Sequence, residues 1–460
     1  MILDESSMRI ISSAIGMYTL MEARIKTVEH ISKKRAPYRE SAPIYFLAPT
    51  EDSVNRLIAD WTPSGDFKLP LYADSIFLYF TSKLPDELFA KIKNCKPLVK
   101  RLKAFVEVGI DFLPKEARAF HLDMNTIFTD LFQKNEGNTK TLVAINQIAD
   151  KLVTVCASLN EFPHIRYRAS SLLATSLAKI FHQKITQFIS TNESWWYHGD
   201  GQHTEKGRCT LMILSRIDDF LSPLMHEFTY QAMVYDLLKP KDDIITYKAD
   251  TSAKETGKTS VTVDKDAILN ENDTVWIELR TKHIADVIQI LSTRIRAIVN
   301  SSTGVTLNTK GDDNAGLTLN QMANALRALP EYKEVMSKLS QHMHMSHQCM
   351  DILNKDSLVD LSDLEQTLAT GKTEEGRVPK VSELVHLVEE ELNQRNDSYT
   401  SLRLLIILVV SQRGLRAEDQ GGLYMAANLD PYQLKILKNL EKIGIPLVHQ
   451  EQRKLKEIIR

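Results

Sequence analysis

Apolar residues in the first 110 positions alternate between a helical and a strand-like spacing. Two runs of strand length, Ile44–Leu47 and Ile76–Phe80, are followed by Thr50-Glu51 and Pro85-Asp86, which suit helix starts. A further strand is expected across 106–113. A helical stripe precedes them, with apolar residues at Met8, Ile11, Ile15, Tyr18 and Met21. Strands separated by helices predict a parallel, doubly wound α/β sheet.

The middle of the chain predicts a strand and a helix in succession. Residues 211–214 form a continuous apolar run, as expected of a strand buried on both faces. Ser222-Pro223 then resembles a helix N-cap followed by a first-turn proline. The predicted helical stripe comprises Leu224, Phe228, Gln231, Tyr235 and Leu238. This pattern predicts a strand–turn–helix unit and indicates no chemistry.

The second half of the chain is mainly helical in its pattern. Residues 284–299 and 319–353 have helical spacing, whereas 248–260 are polar and read as a flexible segment. Residues 402–410 read as a core helix because Arg403 interrupts a run too short to span a bilayer. Pro330 lies inside the 319–353 pattern, where proline bends or ends a helix. Either a plain helical corner or a hinge fits this position.

Composition excludes several classes of partner. The 460 residues have a formal net charge of −2, which gives no bulk attraction to nucleic acid or anionic lipid. Asp4 and Glu5 precede any apolar run, so the amino end is not a signal peptide. The four cysteines form no CxxC pair and are expected to be buried or idle thiols in a reducing cytosol. We therefore expect a soluble protein that reaches membranes only through a partner.

Motifs for catalysis or cofactor binding are lacking in the sequence. It contains no GxxxxGK[ST] phosphate loop, no GxGxxG after a strand and no GxSxG elbow. His342, His344 and His347 with Cys349 are the best metal candidates by residue type. On a helix His342 points away from the other two, so solvated or capping histidines are favoured over a metal site. We expect no cofactor, no metal and no enzymatic activity.

Several segments resemble the SM family of soluble cytosolic proteins that bind syntaxin-type SNAREs. The segment 210–238 carries Arg216, Asp219, Ser222-Pro223, His226-Glu227 and Gln231-Ala232-Met233, and departs from the family wording at Ser215 and Ile217. Further similar segments are APIYFLAPTEDSV at 42–54, CASLNEFPHIRYR at 156–168 and WIELRTKHIADV at 276–287. The resemblance also places a strand near 25–29, where the helical stripe could instead continue through Ile25 and Val28. We favour the strand because Ile25, Thr27 and Val28 are β-branched.

The resemblance implies three domains arranged as an arch. They are a doubly wound α/β domain at 1–109, an α/β domain at 110–226, and a mainly helical domain at 227–460 with a hinged hairpin near 319–353. The implied function is control of vesicle docking and fusion in exocytosis, by holding syntaxin closed and then templating SNARE assembly with a vesicle SNARE. The implied location is cytoplasmic, with recruitment to the plasma membrane or to vesicle docking sites.

Site residues carried over from the family fall into three sets. The set facing a closed syntaxin in a cleft comprises Asp4, Met8, Arg9, Glu29 and Lys33, whereas Gly16 and Ala36 replace a family lysine and glutamate. The pocket for the amino-terminal peptide of syntaxin comprises Leu84, Phe89, Leu102, Phe105 and Glu107. Pro330 matches a hinge proline, and Met343 replaces a leucine that faces the vesicle SNARE. Arg9 is the strongest candidate, since a guanidinium can pair bidentately with a carboxylate.

Compared with the family pattern, the chain is expected to be truncated at both ends. We expect the first domain to lack the strand that precedes Asp4, and the second domain to lack its carboxyl-terminal half. Unpaired sheet edges would then lower the stability. Two alternatives to SNARE regulation are an α/β enzyme with an unrecognised small-molecule site and a truncated, binding-deficient isoform.

Overall fold

The computed structural model describes residues 1–36, 38, 40–62, 72, 75–132, 139–192, 208–241, 244–251, 261–304 and 330–448. The chain divides into two compact units, Met1–Asp218 (unit 1) and Asp219–Arg460 (unit 2). The division into three domains at 109 and 226 stays a prediction.

Unit 1 begins with an α/β region. In chain order its elements are β1 (Ile2–Leu3), α1 (Glu5–Ala14), α2 (Met17–Glu22), β2 (Glu29–His30), β3 (Ile44–Leu47), α3 (Glu51–Trp61), β4 (Ile76–Phe80), α4 (Asp86–Asn94), α5 (Lys96–Val99) and β5 (Leu102–Glu107). The five strands form one parallel sheet in the order β2-β1-β3-β4-β5. This order confirms the predicted parallel α/β sheet.

Both faces of this sheet are covered, because successive side chains of a strand point to opposite sides. Leu78 and Phe80 of β4 pack with Val54 and Leu57 of α3 on one face. On the other face, Leu3 and Phe46 pack with Ile10 of α1. The two layers of helices make the sheet doubly wound, as expected.

The helix and strand starts predicted for 44–94 are confirmed. The Thr50 side chain accepts a hydrogen bond from the Ser53 N–H at the N-cap of α3. Helix α4 begins at Asp86, directly after Pro85. The apolar runs, which are unambiguous in length, become β3 and β4 without a shift in their bounds.

Three expectations for the first 120 residues need correction. The strand expected to be missing before Asp4 is represented by Ile2–Leu3, which lies between β2 and β3. The strand expected near 25–29 starts only at Glu29, after a left-handed turn at Arg24. No strand spans 106–113, because β5 ends at Glu107 and Gly109 adopts a positive φ of 75°.

The described residues in the rest of unit 1 form two small sheets and three α-helices. Its elements are β6 (Leu113–Glu116), β7 (Ala119–His121), α6 (Ile127–Phe132), α7 (Thr139–Leu159), β8 (His164–Tyr167), α8 (Leu172–Thr191) and β9 (Thr210–Ile213). Helix α7 is long and apolar enough to cross a membrane by length and composition alone. Its residues Ala149 and Val153 pack against Phe181 of α8 in a buried cluster.

Strand β9 confirms the strand predicted from 211–214 but is not buried on both faces. It pairs in parallel with β8 in a two-stranded sheet, and the Met212 side chain is 61% exposed. The continuous apolar run therefore predicted the strand correctly, but the prediction that both of its faces are buried was wrong.

Unit 2 is mainly helical. Its regular elements are α9 (Tyr230–Met233), β10 (Ile244–Thr251), β11 (Val261–Ile268), α10 (Thr274–Leu279), α11 (Ile284–Gly304), α12 (Pro330–Lys355), α13 (Leu358–Thr370), α14 (Val381–Gln394), α15 (Ser398–Gln412), α16 (Ala417–Ala426) and α17 (Pro431–Asn439). Strands β10 and β11 pair antiparallel and include part of the segment expected to be flexible. Residues 402–410 lie inside the buried helix α15, which confirms the predicted core helix.

The helix predicted to begin at Ser222-Pro223 starts eight residues later, at Tyr230. Ser222–Leu224 form one turn of 3₁₀ helix, and Met225 is extended. Tertiary hydrogen bonds hold this extended segment: Arg403 donates to the Leu224 carbonyl, and the His226 N–H donates to Glu365. Such long-range contacts override the local capping signal.

Candidate functional site

The predicted syntaxin-cleft residues lie at one edge of the parallel sheet in unit 1. Asp4 follows β1 directly, and Met8 and Arg9 are in α1. Glu29 is in the neighbouring strand β2, and Lys33 follows it by four positions. Because β1 and β2 are adjacent and parallel, Asp4, Met8, Arg9 and Lys33 follow their carboxyl ends on the same side of the sheet. Glu29 is the first residue of β2 and pairs with Ile2, so it lies at the amino ends of the two strands.

Asp4 is buried and has a structural role in this edge. Its carboxylate accepts hydrogen bonds from the Ser7 N–H at 2.9 Å, the Ala48 N–H at 2.7 Å and the Ser53 hydroxyl at 2.7 Å. These bonds cap α1 and tie it to β3 and α3. Both carboxylate oxygens are thus engaged within the domain.

Arg9 is half-exposed and already has an acidic partner. Its Nη1 lies 2.7 Å from an oxygen of Asp123, and the Arg9 side chain is 38% exposed. The predicted contact with a partner carboxylate therefore requires Arg9 to share its guanidinium with Asp123 or to exchange one carboxylate for another. The five N–H donors of arginine make sharing possible.

Met8, Glu29 and Lys33 complete the edge. Met8 is half-buried and packs against the apolar cluster that contains Leu3 and Ile10. Glu29 is half-buried in β2. Lys33 is exposed on a turn, and its N–H donates to the His30 carbonyl at 3.1 Å. Gly16 and Ala36, the two altered family positions, are also exposed.

The predicted peptide-pocket residues come together at the opposite edge, on β5 and α4. The rings of Phe89 and Phe105 meet edge-to-face with centroids 5.7 Å apart, and Phe105 also contacts Phe80 at 5.8 Å. Phe89 is 47% exposed, whereas Leu84 is buried. Leu102 packs at the margin of the same core. The exposed ring of Phe89 thus lies next to buried and half-buried apolar residues, which are Leu84, Leu102 and Phe105.

Glu107 organises the entry to this surface. Its Oε1 accepts a hydrogen bond from the Leu84 N–H at 2.9 Å, which links the end of β5 to the loop before α4. Leu84, Phe105 and Glu107 are therefore brought together as the resemblance implied. A carboxylate at the rim could pair with a cationic group of a peptide.

The two predicted positions for a vesicle SNARE lie in α12 of unit 2. Pro330 is the first residue of the described helix, and 319–329, the first part of the predicted hinged hairpin, lie outside the described residues. Met343 is half-buried and packs against the core of unit 2. The hinge and the vesicle-SNARE surface stay predictions.

A buried polar network in unit 2 was not foreseen from the sequence. The Tyr230 hydroxyl lies 2.9 Å from Nδ1 of His342, and Nε2 of that ring lies 3.2 Å from Asp273. Lys338 Nζ contacts the same carboxylate at 3.0 Å, and Asp273 also caps α10. The expectation of a solvated His342 was wrong, because its side chain is fully buried.

Electrostatics in this network favour the charged carboxylate. Burial alone would raise the pKa of Asp273, but hydrogen bonds and charge from His342 and Lys338 hold it well below its usual range. Elsewhere in unit 2, His226 contacts Glu365 at 2.9 Å and Arg403 contacts Asp236 at 2.7 Å. His226, which belongs to the sequence signature at 210–238, therefore has a structural role within unit 2 through its contact with Glu365.

Metal binding and thiol chemistry find no support in the described parts of the chain. They contain no group of three histidine, cysteine, aspartate or glutamate side chains placed to hold a metal ion. Burial raises the pKa of both Cys156 and Cys349 to about 12, so neither is a ready thiolate. Cys209 is exposed, whereas Cys95, Cys156 and Cys349 are buried.

Comparison with known proteins decides the family. The Sec1 family model matches residues 1–458. The chain belongs to the Sec1 family. Protein transport protein sec1 of Dictyostelium discoideum is 33% identical over 97% of this chain and 70% of its own length.

Other relatives and solved structures agree with this assignment. The SNARE-interacting protein KEULE of Arabidopsis thaliana is 30% identical over 96% of this chain, which spans 65% of KEULE. The Unc18–syntaxin 1 complex of Monosiga brevicollis contains a chain that matches with a TM-score of 0.79 and 25% identity, over 100% of this chain and 78% of that chain. Sly1p, solved with an N-terminal peptide of Sed5p, has the same fold, with a TM-score of 0.72 and 20% identity over 96% of this chain and 67% of that chain. The expected SM fold is therefore confirmed, and the chain spans about two thirds of the length of its curated relatives.

Proposed function

We propose that this Sec1-family protein binds a syntaxin-type SNARE through unit 1 and regulates vesicle docking and fusion. The observation that carries the proposal is the match of the whole chain to the SM protein solved with syntaxin 1. Two surfaces of unit 1 support it: the β1–β2 edge with Met8 and the charged residues Arg9, Glu29 and Lys33, and the aromatic surface at Phe89 and Phe105.

The two surfaces suit different parts of one partner. Exposed and half-exposed charges at the β1–β2 edge suit a folded helical bundle, whose polar rim can be matched in charge and register. The aromatic surface over α4 and β5 suits a short peptide, since one apolar anchor can fill it. We assign the closed form of syntaxin to the first surface and its amino-terminal peptide to the second.

The mechanism that follows is assembly control rather than catalysis. The protein holds syntaxin closed and later aligns it with a vesicle SNARE along the helical surface near Pro330 and Met343. In this account the protein is a non-enzymatic cytoplasmic regulator that reaches the plasma membrane or a vesicle docking site through syntaxin. Its partners are syntaxin and the assembling SNARE complex.

Calorimetric titration with the cytosolic region of a syntaxin tests the proposal. We expect a one-to-one complex of nanomolar to micromolar affinity. A syntaxin lacking its amino-terminal peptide should bind more weakly, and the isolated peptide should bind on its own. A folded chain that binds neither at high micromolar concentration would indicate the binding-deficient alternative.

The same sample tests the enzymatic alternative. Unit 2 contains a cavity of about 410 Å³ next to Asp273, Arg294 and Lys338, which is large enough for a small molecule. A nucleotide or metal that raises the melting temperature in the absence of syntaxin would favour an enzyme. We expect no such shift.

A further inference from the structure

Lys33 lies on an exposed turn that is fixed at both sides. Two positions before it, Ile31 is buried in the core between the sheet and α3. Two positions after it, the side chain of Arg35 turns back into unit 1 and is only 5% exposed. The residues between these anchors, including Lys33 and Lys34, are exposed. The position of the Lys33 ammonium group thus depends on how firmly Arg35 is held.

Arg35 is held by a buried carboxylate on α3. Its Nη2 lies 2.6 Å and 2.7 Å from the two oxygens of Asp60. The hydroxyl of Tyr45, on β3, donates to the same carboxylate at 2.9 Å. The turn is thereby tied to both the helix and the strand that precede β4. Burial raises the pKa of Asp60, although Arg35 and Tyr45 oppose this rise.

The geometry of this pair is poorly suited to a purely stabilising role. In the described part of the chain, Nε and Nη1 of Arg35 are buried without a hydrogen-bond partner. Burying unpaired donors costs free energy, and a buried ion pair can often be replaced by neutral groups without loss of stability. Unlike a neutral pair, the Arg35–Asp60 ion pair fixes the orientation of the turn relative to α3.

We propose that Arg35 is a positioning residue for partner binding, which fixes the turn bearing Lys33 through its buried contact with Asp60. The inference rests on the proposed syntaxin function, because Lys33 belongs to the predicted cleft set. Arg35 itself makes no contact with the partner in this account. It acts by reducing the number of positions that Lys33 samples before binding.

The test separates positioning from stability by removing the charges together. Arg35→Met alone leaves the Asp60 carboxylate buried without its cation, so this variant is expected to lower the melting temperature. Arg35→Met combined with Asp60→Asn removes both charges and keeps an acceptor for Tyr45, so its melting temperature should return close to that of the wild type. Arg56→Met combined with Asp52→Asn is the matched control, since that ion pair on α3 is exposed with an N–O distance of 2.7 Å.

Two readouts are measured on these proteins, each with the whole 460-residue chain. The first is the affinity for the syntaxin cytosolic region, which we expect to fall about tenfold in the Arg35–Asp60 double variant and to stay unchanged in the control. The second needs no partner: amide exchange of residues 32–36 in the free protein should accelerate about tenfold in the same variant. The single variant Arg35→Lys should keep the slow exchange and most of the affinity of the wild type. Only one nitrogen of Arg35 contacts Asp60, so a lysine ammonium group can replace that contact.

The outcomes distinguish this inference from the proposed function. A double variant that is as stable as the wild type, binds equally well and exchanges no faster overturns the positioning role of Arg35. If the wild-type protein binds no syntaxin, the proposed function fails. In that case the exchange rates still decide whether Arg35 fixes the turn.

Discussion

Two groups of charged side chains differ in their burial: one is buried among the helices of unit 2, and the other lies at the surface of unit 1. In unit 2, Asp273 and His342 are almost fully buried and contact each other at 3.2 Å, with Lys338 on the same carboxylate. In unit 1, Arg9 is half-exposed beside Asp123, and Lys33 has no side-chain partner among the described residues. The first group has its hydrogen bonds satisfied inside the chain, whereas the second retains unused donors toward solvent.

This difference indicates which property each group controls. A buried charge that loses its partner keeps its desolvation cost, so a substitution there lowers the stability of the fold. An exposed charge gains little from its internal partner, so a substitution there leaves the fold intact and changes the binding of an external one. Substitutions in the two groups should therefore have separable effects on stability and on affinity.

The largest expected effect is on stability, from Asp273→Ala. This variant leaves His342 buried without its carboxylate and uncaps α10, and we expect a loss of about 3 kcal/mol in the free energy of unfolding. Urea denaturation measures this loss. The control is Asp397→Ala, since Asp397 caps α15 but is exposed, and it should lose only about 1 kcal/mol. Equal losses in both variants would mean that the buried network adds nothing beyond the cap.

The buried group also predicts how stability depends on pH. The pKa of Asp273 is lower in the folded protein than in the unfolded chain, so its contribution is present above the unfolded pKa of about 4 and is lost as the pH falls further. We expect Asp273→Asn to reduce the loss of stability between about pH 5 and pH 2 by about 2 kcal/mol. Denaturation curves at a series of pH values measure this change. Parallel curves for the variant and the wild type would show that other groups cause the acid sensitivity.

At the surface of unit 1, Arg9→Glu should change affinity rather than stability. The new carboxylate faces Asp123 and repels an acidic partner, so we expect about a thirtyfold loss of affinity for the syntaxin helical region, or about 2 kcal/mol. Arg56→Glu is the control, because Arg56 also pairs with a carboxylate at 2.7 Å but lies on α3 and is not among the predicted cleft residues. A similar loss in both variants would indicate a general effect of charge.

A smaller effect is expected at the aromatic surface. Phe89→Ala removes a half-exposed ring, and we expect about a fivefold loss of affinity for the amino-terminal peptide, or about 1 kcal/mol. Phe120→Ala is closely matched, since Phe120 is 44% exposed and meets Phe112 at the 5.7 Å distance that separates Phe89 from Phe105. Peptide titration compares the two. An unchanged affinity for Phe89→Ala would remove this surface from the proposed site.

Local sequence patterns predicted the elements whose signals are local. The apolar runs at 44–47 and 76–80 became β3 and β4, and the run at 402–410 became part of the buried helix α15. The helix expected at Ser222 failed because Arg403 and Glu365, far away in sequence, hold that segment extended. The strand expected across 106–113 failed because a left-handed Gly109 outweighs the apolar run around it.

The candidate site was predictable only in part for a similar reason. The resemblance grouped Leu84, Phe105 and Glu107, and the structure joins Leu84 to Glu107 by a hydrogen bond. Their role in a peptide pocket stays a prediction. It gave no sign that Arg9 faces Asp123, which is 114 positions away. Nor could spacing link Tyr230 to His342 across 112 positions. Pairings at such separations depend on the tertiary fold, and no local period records them.

The central claim is that unit 1 binds a syntaxin-type SNARE through the edge that carries Arg9. The most direct measurement is a calorimetric titration of the syntaxin cytosolic region into the wild-type protein, Arg9→Glu and Arg56→Glu. We expect one-to-one binding by the wild type and by Arg56→Glu, with affinity reduced about thirtyfold in Arg9→Glu alone. Equal affinities for all three proteins, or no binding by a wild-type protein that melts cooperatively, would contradict the account.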